Sequence, residues 1–267
     1  MAATCPRGIS RSIPLRISTR WVPVSMDLVR ARTWINLYYG IQMRKIWLLP
    51  IVALCAGCGK QEEPVAQKAP AAAAAPAKPQ APDGRPAIVV FGDSISAGFG
   101  LDAGQSFPDL LQKDLDARGV KYRVVNMGVS GDTTQDGLAR LSIALAERPK
   151  IVLLELGAND GLRGIPSSVM QANLAQMIEA FQSAGAQVVL AGMTLPPNYG
   201  PEFIKRFDAV YAGLAEKYHV TLIPFLMAGV GGHQDMMQRD GLHPNAAGAR
   251  RVEELVMKAL APLIGAR

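Results

Sequence analysis

The 267-residue chain predicts an α/β domain built on a five-stranded parallel sheet with helices over both faces. Two features of the sequence after residue 86 carry that expectation. Five short runs are nearly all apolar, and each is separated from the next by apolar residues recurring at helical spacing. A strand apolar along its whole length is buried on both sides, and intervening helices supply the crossovers that parallel pairing needs.

The first strand is expected at Ala87–Phe91, where the apolar run stops abruptly in "GDSISAG". Phe107, Leu110, Leu111 and Leu115 then share one helical face, leading to a second strand at Tyr122–Asn126 and a third at Ile151–Glu155. The next helix places Met170, Leu174, Met177, Ile178 and Phe181 inward, before a fourth strand at Gln187–Ala191. Phe203, Phe207, Val210, Tyr211 and Leu214 form the following stripe, and the fifth strand is Val220–Pro224. The last helix is expected to open at Pro244, a position whose N–H has no helical partner to lose, and to bury Val252, Leu255, Val256 and Leu260.

The region before residue 87 reads differently. From Met43, "MRKIWLLPIVALCAGC" has a basic start at Arg44 and Lys45, an apolar run from Ile46 to Leu54 and small residues before Cys58. That is the layout of a secretory signal, with an apolar part well short of the roughly 18 residues a membrane-spanning helix needs. "CAGC" resembles the lipobox of bacterial lipoproteins, with Cys55 where an aliphatic residue is usual; the resemblance implies cleavage before Cys58 and lipidation of its sulfur. A signal normally stands first, so translation is expected to begin at Met43 and residues 1–42 to be a non-native extension. An Arg-rich transit peptide is the competing reading of those residues. Residues 58–86, a Pro/Ala-rich tract after the cysteine, lack the large apolar side chains that offset ordering entropy and read as a tether. Residues 87–267, about 180 in all, form one globular unit with ample core.

Charge and cysteine content follow the same division. Residues 1–57 hold eight of the 28 basic residues and one of the 22 acidic ones, leaving 20 basic against 21 acidic. The basic balance of the whole chain therefore belongs to the leader and is no argument for nucleic acid. Of the three cysteines, only Cys58 outlasts the expected cleavage, which leaves neither a disulfide nor a cysteine metal site. No metal or organic cofactor is indicated.

In parallel sheets covered by helices, ligands bind beyond the carboxyl ends of the strands. Four polar clusters follow strands here: Ser94 after the first, Gly131 in "NMGVSGDT" after the second, Asn159 in "ELGANDG" after the third, and Asp240 with His243 in "RDGLHP" after the fifth. A serine hydroxyl needs a base to become nucleophilic, and imidazole suits neutral pH. His219 enters a strand from the wrong edge; His233, in "GVGGHQD", is not separated from His243 by spacing alone. Asp240, three residues before His243, is close enough to orient its ring, although a D-x-x-H pair also fits a plain loop or helix cap. Negative charge developing on an acyl oxygen needs preorganised donors. The N–H groups of Ser94 and Gly131 and the Asn159 amide are the candidates, each of which alone also reads as a turn residue. Their convergence on one rim favours chemistry. The second glycine of the α/β-hydrolase elbow is missing around Ser94, as is the Gly-Lys-Ser/Thr ending of a phosphate loop.

Taken together, "GDSIS", "SGDT", "GAND" and "DGLHP" resemble the four blocks of the SGNH (GDSL-type) hydrolase superfamily, in order and across the whole globular unit. "VNMGVSGDTTQDGLARL", "VLLELGANDGLRG" and "LPPNYG" are most similar to its bacterial thioesterase I/lysophospholipase/arylesterase branch. The resemblance implies a flavodoxin-like three-layer α/β/α sandwich and an acyl-enzyme mechanism. Ser94 would be nucleophile, His243 base and Asp240 its orienting acid, with Ser94, Gly131 and Asn159 forming the oxyanion hole. Ile95 stands where the family name has Leu, and Ala158 where close relatives often have Gly.

The loops after the fourth and fifth strands should border the pocket, with Leu195, Pro196, Pro197, Tyr199, Met227, Met236 and Met237 lining an acyl groove. By the resemblance, Leu195, Pro196 and Tyr199 contact the acyl group, and the substrates are acyl esters, thioesters or lysophospholipids. A carbohydrate acetylesterase and a non-catalytic envelope lipoprotein are the rival readings. Gly59 after the acylated Cys58 fits a periplasm-facing lipoprotein, in the outer membrane of a Gram-negative source.

Overall fold

The computed structural model describes residues 84–265; Cys58, the expected signal sequence and the expected upstream extension lie outside the described residues. Five strands, β1 (Ala87–Gly92), β2 (Arg123–Gly128), β3 (Pro149–Glu155), β4 (Gln187–Ala191) and β5 (Thr221–Ile223), form one all-parallel sheet in the order β2-β1-β3-β4-β5. That is the flavodoxin-like order. Eight helices connect and flank them: α1 (Ser94–Ala97), α2 (Phe107–Ala117), α3 (Thr134–Ala139), α4 (Leu141–Ala146), α5 (Ala158–Leu162), α6 (Ser167–Ser183), α7 (Pro201–Tyr218) and α8 (Ala246–Ile264). A one-turn 3₁₀ segment, Pro197–Tyr199, precedes α7.

The chain steps from β1 to β2, then reverses past β1 to β3 and continues outward. Right-handed crossovers in opposite directions put the helices of the two halves on opposite faces. Accordingly α2 packs on α8, while α6 packs on α3 and α7. β1 and the inner part of β3 are buried throughout, as their apolar sequences require. The rings of Phe91 on β1 and Phe181 on α6 meet edge to face at 5.7 Å, joining sheet to helix.

Local signals set the element boundaries. β2 runs two residues past its expected end because Gly128 lies tight against the backbone of α1: an added Cβ would sit 2.3 Å from Ala97 N. β5 is shorter than expected, pairing only at Thr221–Ile223. The last helix does not open at Pro244. Asn245 caps it, its Oδ1 accepting from the N–H groups of Ala247 (2.9 Å) and Gly248 (3.1 Å), a stronger start signal than a proline. Pro244 instead pairs as an isolated bridge with Met237, holding the preceding loop extended.

Candidate active site

The reversal between β1 and β3 opens a crevice at their carboxyl ends; Ser94, Asn159 and His243 border it, and the Gly131 cluster joins through Asp132, whose carbonyl accepts the Asn159 amide. Ser94 is the first residue of α1, immediately after β1. Its turn is held by Asp93, whose Oδ1 accepts the Ile95 N–H at 3.0 Å and whose own N–H donates to Glu155 Oε2 at 3.1 Å.

The Ser94 hydroxyl lies 2.8 Å from His243 Nε2, across 149 residues of sequence, and His243 Nδ1 lies 2.7 Å from Asp240 Oδ2. Asp240 Oδ1 also accepts the N–H groups of Leu242 (2.9 Å) and His243 (3.0 Å). Partial burial works to raise the Asp240 pKa, but these bonds and the imidazole outweigh it and hold the carboxyl below its ordinary range. An ionised carboxylate only accepts, so Nδ1 carries the proton and Nε2 turns its lone pair to the serine hydroxyl. That is the state from which imidazole can act as base. The Phe99 ring packs on the imidazole at 4.6 Å between centroids. His233, which spacing left open, is exposed on the loop before Met236, and His219 ends α7 with a left-handed backbone, φ 53°.

Neither the Ser94 N–H nor the Gly131 N–H is bonded within the described residues, so both stay available as donors. Gly131 has φ +88°, a left-handed conformation that glycine adopts without strain. Asn159 Nδ2 donates to Asp93 Oδ2 at 3.1 Å and to the Asp132 carbonyl at 3.0 Å. Both amide hydrogens are engaged, so an anion bound here takes over one of those bonds.

Beside Ser94 and His243 opens a cleft of about 540 Å³, bordered by Ser94, Asn159 and His243 and walled by Leu162, Leu195, Pro196, Phe225 and Met227 among others. Leu195, Pro196, Pro197, Met227 and Met237 line it as expected. Tyr199 and Met236 do not. The Tyr199 hydroxyl donates to the Leu162 carbonyl at 2.9 Å and its ring stacks on Phe203, so it braces the wall from behind.

Two acids that support Ser94 and Asn159 are among the residues that escaped the sequence reading. Glu155, 0% exposed at the end of β3, accepts the Ser96 hydroxyl at 2.6 Å as well as the Asp93 N–H. Burial first, then the adjacent Asp93 charge, pushes its carboxyl well above the usual range, while burial lifts Asp93 to about 6. The contact is tight because Gly92 has no side chain: an added Cβ would lie 2.2 Å from Ser96 Oγ and 2.3 Å from Glu155 Oε2. A lone acid closing an apolar strand was the available signal. Asp160, next to Asn159, accepts both the N–H (2.8 Å) and hydroxyl (2.6 Å) of Thr134, tying the second polar cluster to the third.

The model of the GDSL-like lipase/acylhydrolase family matches residues 90–251. Esterase TesA of Pseudomonas aeruginosa is 50% identical over 178 residues, covering 66% of this chain and 89% of that protein. Thioesterase 1/protease 1/lysophospholipase L1 of Escherichia coli K12 is 39% identical over 178 residues, covering 66% and 84%. The crystal structure of TesA matches with a TM-score of 0.65 and 50% identity, covering 66% of this chain and 99% of that one. The family match begins inside β1 and ends inside α8, and so takes in all four rim clusters: the chain belongs to the GDSL-like lipase/acylhydrolase family, enzymes that hydrolyse ester bonds.

Proposed function

We propose that Ser94 is the nucleophile of an acyl-enzyme reaction on medium- to long-chain acyl esters, lysophospholipids and acyl thioesters among them. The observation that carries this reading is the continuous relay from Asp240 through His243 to Ser94 Oγ, with steps of 2.7 and 2.8 Å, opening onto an apolar cleft. His243 Nε2 takes the Ser94 proton as Oγ bonds to the acyl carbon and the carbonyl electrons move onto oxygen. The N–H groups of Ser94 and Gly131 and the Asn159 amide receive that oxyanion, the amide giving up one of its internal bonds. Collapse breaks the ester bond, and the departing oxygen or sulfur leaves with the proton from Nε2. Water then attacks the acyl-enzyme by the same route, releasing the fatty acid and restoring Ser94. Asp240 keeps the ring oriented and balances the imidazolium without taking the proton.

Substrate size follows from the cleft. An acetyl group would leave most of its roughly 540 Å³ to water, whereas a long acyl chain would replace that water with contacts to Leu195, Pro196, Phe225 and Met227. In a p-nitrophenyl ester series, kcat/KM should rise from acetyl to octanoyl; a maximum at acetyl would favour the carbohydrate acetylesterase reading. A fluorophosphonate probe should label the wild type and not Ser94→Ala; an unlabelled wild type refutes the nucleophile assignment.

The membrane reading rests on sequence. The basic start, apolar run and "CAGC" ending at Cys58 support export and a lipid anchor, with the catalytic domain held by its tether at the periplasmic face of the membrane. Metabolic labelling with palmitate should mark the wild type and not Cys58→Ala; equal labelling would remove the anchor.

A further inference from the structure

Arg140 lies between α3 and α4, and nothing in the reaction above uses it. Its side chain is only 15% exposed, and its guanidinium makes three separate hydrogen bonds while stacking 4.1 Å over the Phe91 ring. Nε donates to Asp132 Oδ2 at 2.6 Å, Nη1 to the Met127 carbonyl at 2.8 Å and Nη2 to the Gly92 carbonyl at 2.8 Å. Each acceptor belongs to a different part of the site. Gly92 is the last residue of β1, two before Ser94, and Met127 lies at the end of β2. Asp132 follows Gly131 directly, and its carbonyl accepts the Asn159 amide.

One planar group thus touches the strand ends that carry the serine and glycine donors, and reaches the asparagine donor through one further bond. A guanidinium is a rigid fork whose hydrogens point in fixed directions, so three acceptors bound to it have their spacing set by it. An ammonium in its place has the charge without the fork. Filling a surface ion pair would have required only Asp132. Oxyanion stabilisation depends on donors held before charge develops, and small displacements weaken it steeply. We propose that Arg140 is a positioning residue that sets the mutual spacing of the three oxyanion donors. It touches no reacting atom, and the proposal rests on the Ser94 reaction described above.

The test compares wild type, Arg140→Ala and Arg140→Lys with a p-nitrophenyl acyl ester. Both variants should lose kcat, by about 100-fold for Ala and about tenfold for Lys, with KM changed less than about threefold, as expected when transition-state contacts alone are damaged. Affinity for a tetrahedral alkylboronate should fall in step with kcat, while inhibition by the fatty-acid product should not. Methylguanidinium should restore part of the Arg140→Ala rate and none of the Ser94→Ala rate. Arg140 is overturned as a positioning residue if either folded variant keeps kcat within twofold, or if the loss falls on KM. Should the alanine variant fail to fold, the lysine variant decides by the same criteria. A wild type that no fluorophosphonate labels would refute the Ser94 reading instead, so the two failures are distinguishable.

Discussion

Asp93 and Asp240 each stand beside a member of the proposed relay, Ser94 and His243, in opposite surroundings. Asp93 is 1% exposed and bonded to the core from several sides, so burial lifts its pKa to about 6. Asp240 lies on an exposed loop, and three N–H groups keep its carboxyl ionised. The serine is therefore positioned by the interior, and the histidine by a loop whose bonds are mostly local. Changes on the serine side should cost stability and activity together; changes on the histidine side should cost activity alone.

His243→Ala should sharpen that contrast most. We expect kcat to fall about 10⁴-fold or more, with a Tm within about 2 °C of wild type, measured by ester hydrolysis and thermal unfolding. A large Tm loss would break the comparison. Gly128→Ala tests the opposite side. Its Cβ would meet Ala97 N at 2.3 Å, Ser96 C at 2.7 Å and Asp93 O at 2.8 Å, all backbone atoms that cannot swing away. Overpacking of this kind should cost about 3 kcal/mol, lowering Tm by roughly 6–12 °C along with activity.

Gln238 belongs to the histidine side and joins it to the serine side. Its Nε2 donates to the Phe99 carbonyl at 2.6 Å and the Pro244 carbonyl at 3.0 Å, and its N–H donates to the His243 carbonyl at 2.8 Å. Gln238→Ala should lower kcat about tenfold with little change in Tm, since the loop stays folded but the imidazole loses its fixed distance from Ser94. A Tm drop without a kcat change would show the residue to be merely structural.

The smallest expected effect is on pH dependence. The Glu155 and Asp93 carboxyls have raised values in the folded chain, so the folded form holds protons that the unfolded chain releases above about pH 4. Their contribution is most favourable below that pH and is lost as pH rises through the folded values. Glu155→Gln removes one such proton while keeping an acceptor for Ser96 and Asp93. Its unfolding free energy relative to wild type should rise from pH 4.5 to pH 7, by at most about 1.4 kcal/mol per pH unit, as read by denaturant unfolding. A difference independent of pH would show Glu155 to be ionised in the folded protein.

What the sequence made legible has a physical basis. β4 falls at Gln187–Ala191 as expected because the short apolar run Val188–Ala191, set between Gly192 and the exposed Gln187, has one buried solution. Ser94, Gly131, Asn159 and His243 were readable because each follows a strand of a parallel sheet. Tyr199 was misread because spacing in a loop does not report side-chain direction, and its hydroxyl turned to the Leu162 carbonyl instead. Glu155, Asp160 and Arg140 act through partners 59, 26 and 48 residues away; the lone acid closing an apolar strand marked Glu155 as unusual, but no local pattern names those partners.

The span between the hydroxyl and the imidazole has a kinetic consequence. No single supersecondary unit holds more than a fraction of the proposed catalytic groups, and the last of them arrives only with the segment that leads into α8. During refolding, recovery of hydrolysis should therefore trail the recovery of helical signal, and proteolysis anywhere between the two residues should abolish turnover unless the fragments stay associated. Turnover is thus a late-arriving gauge of whether the chain from β1 to α8 has closed upon itself.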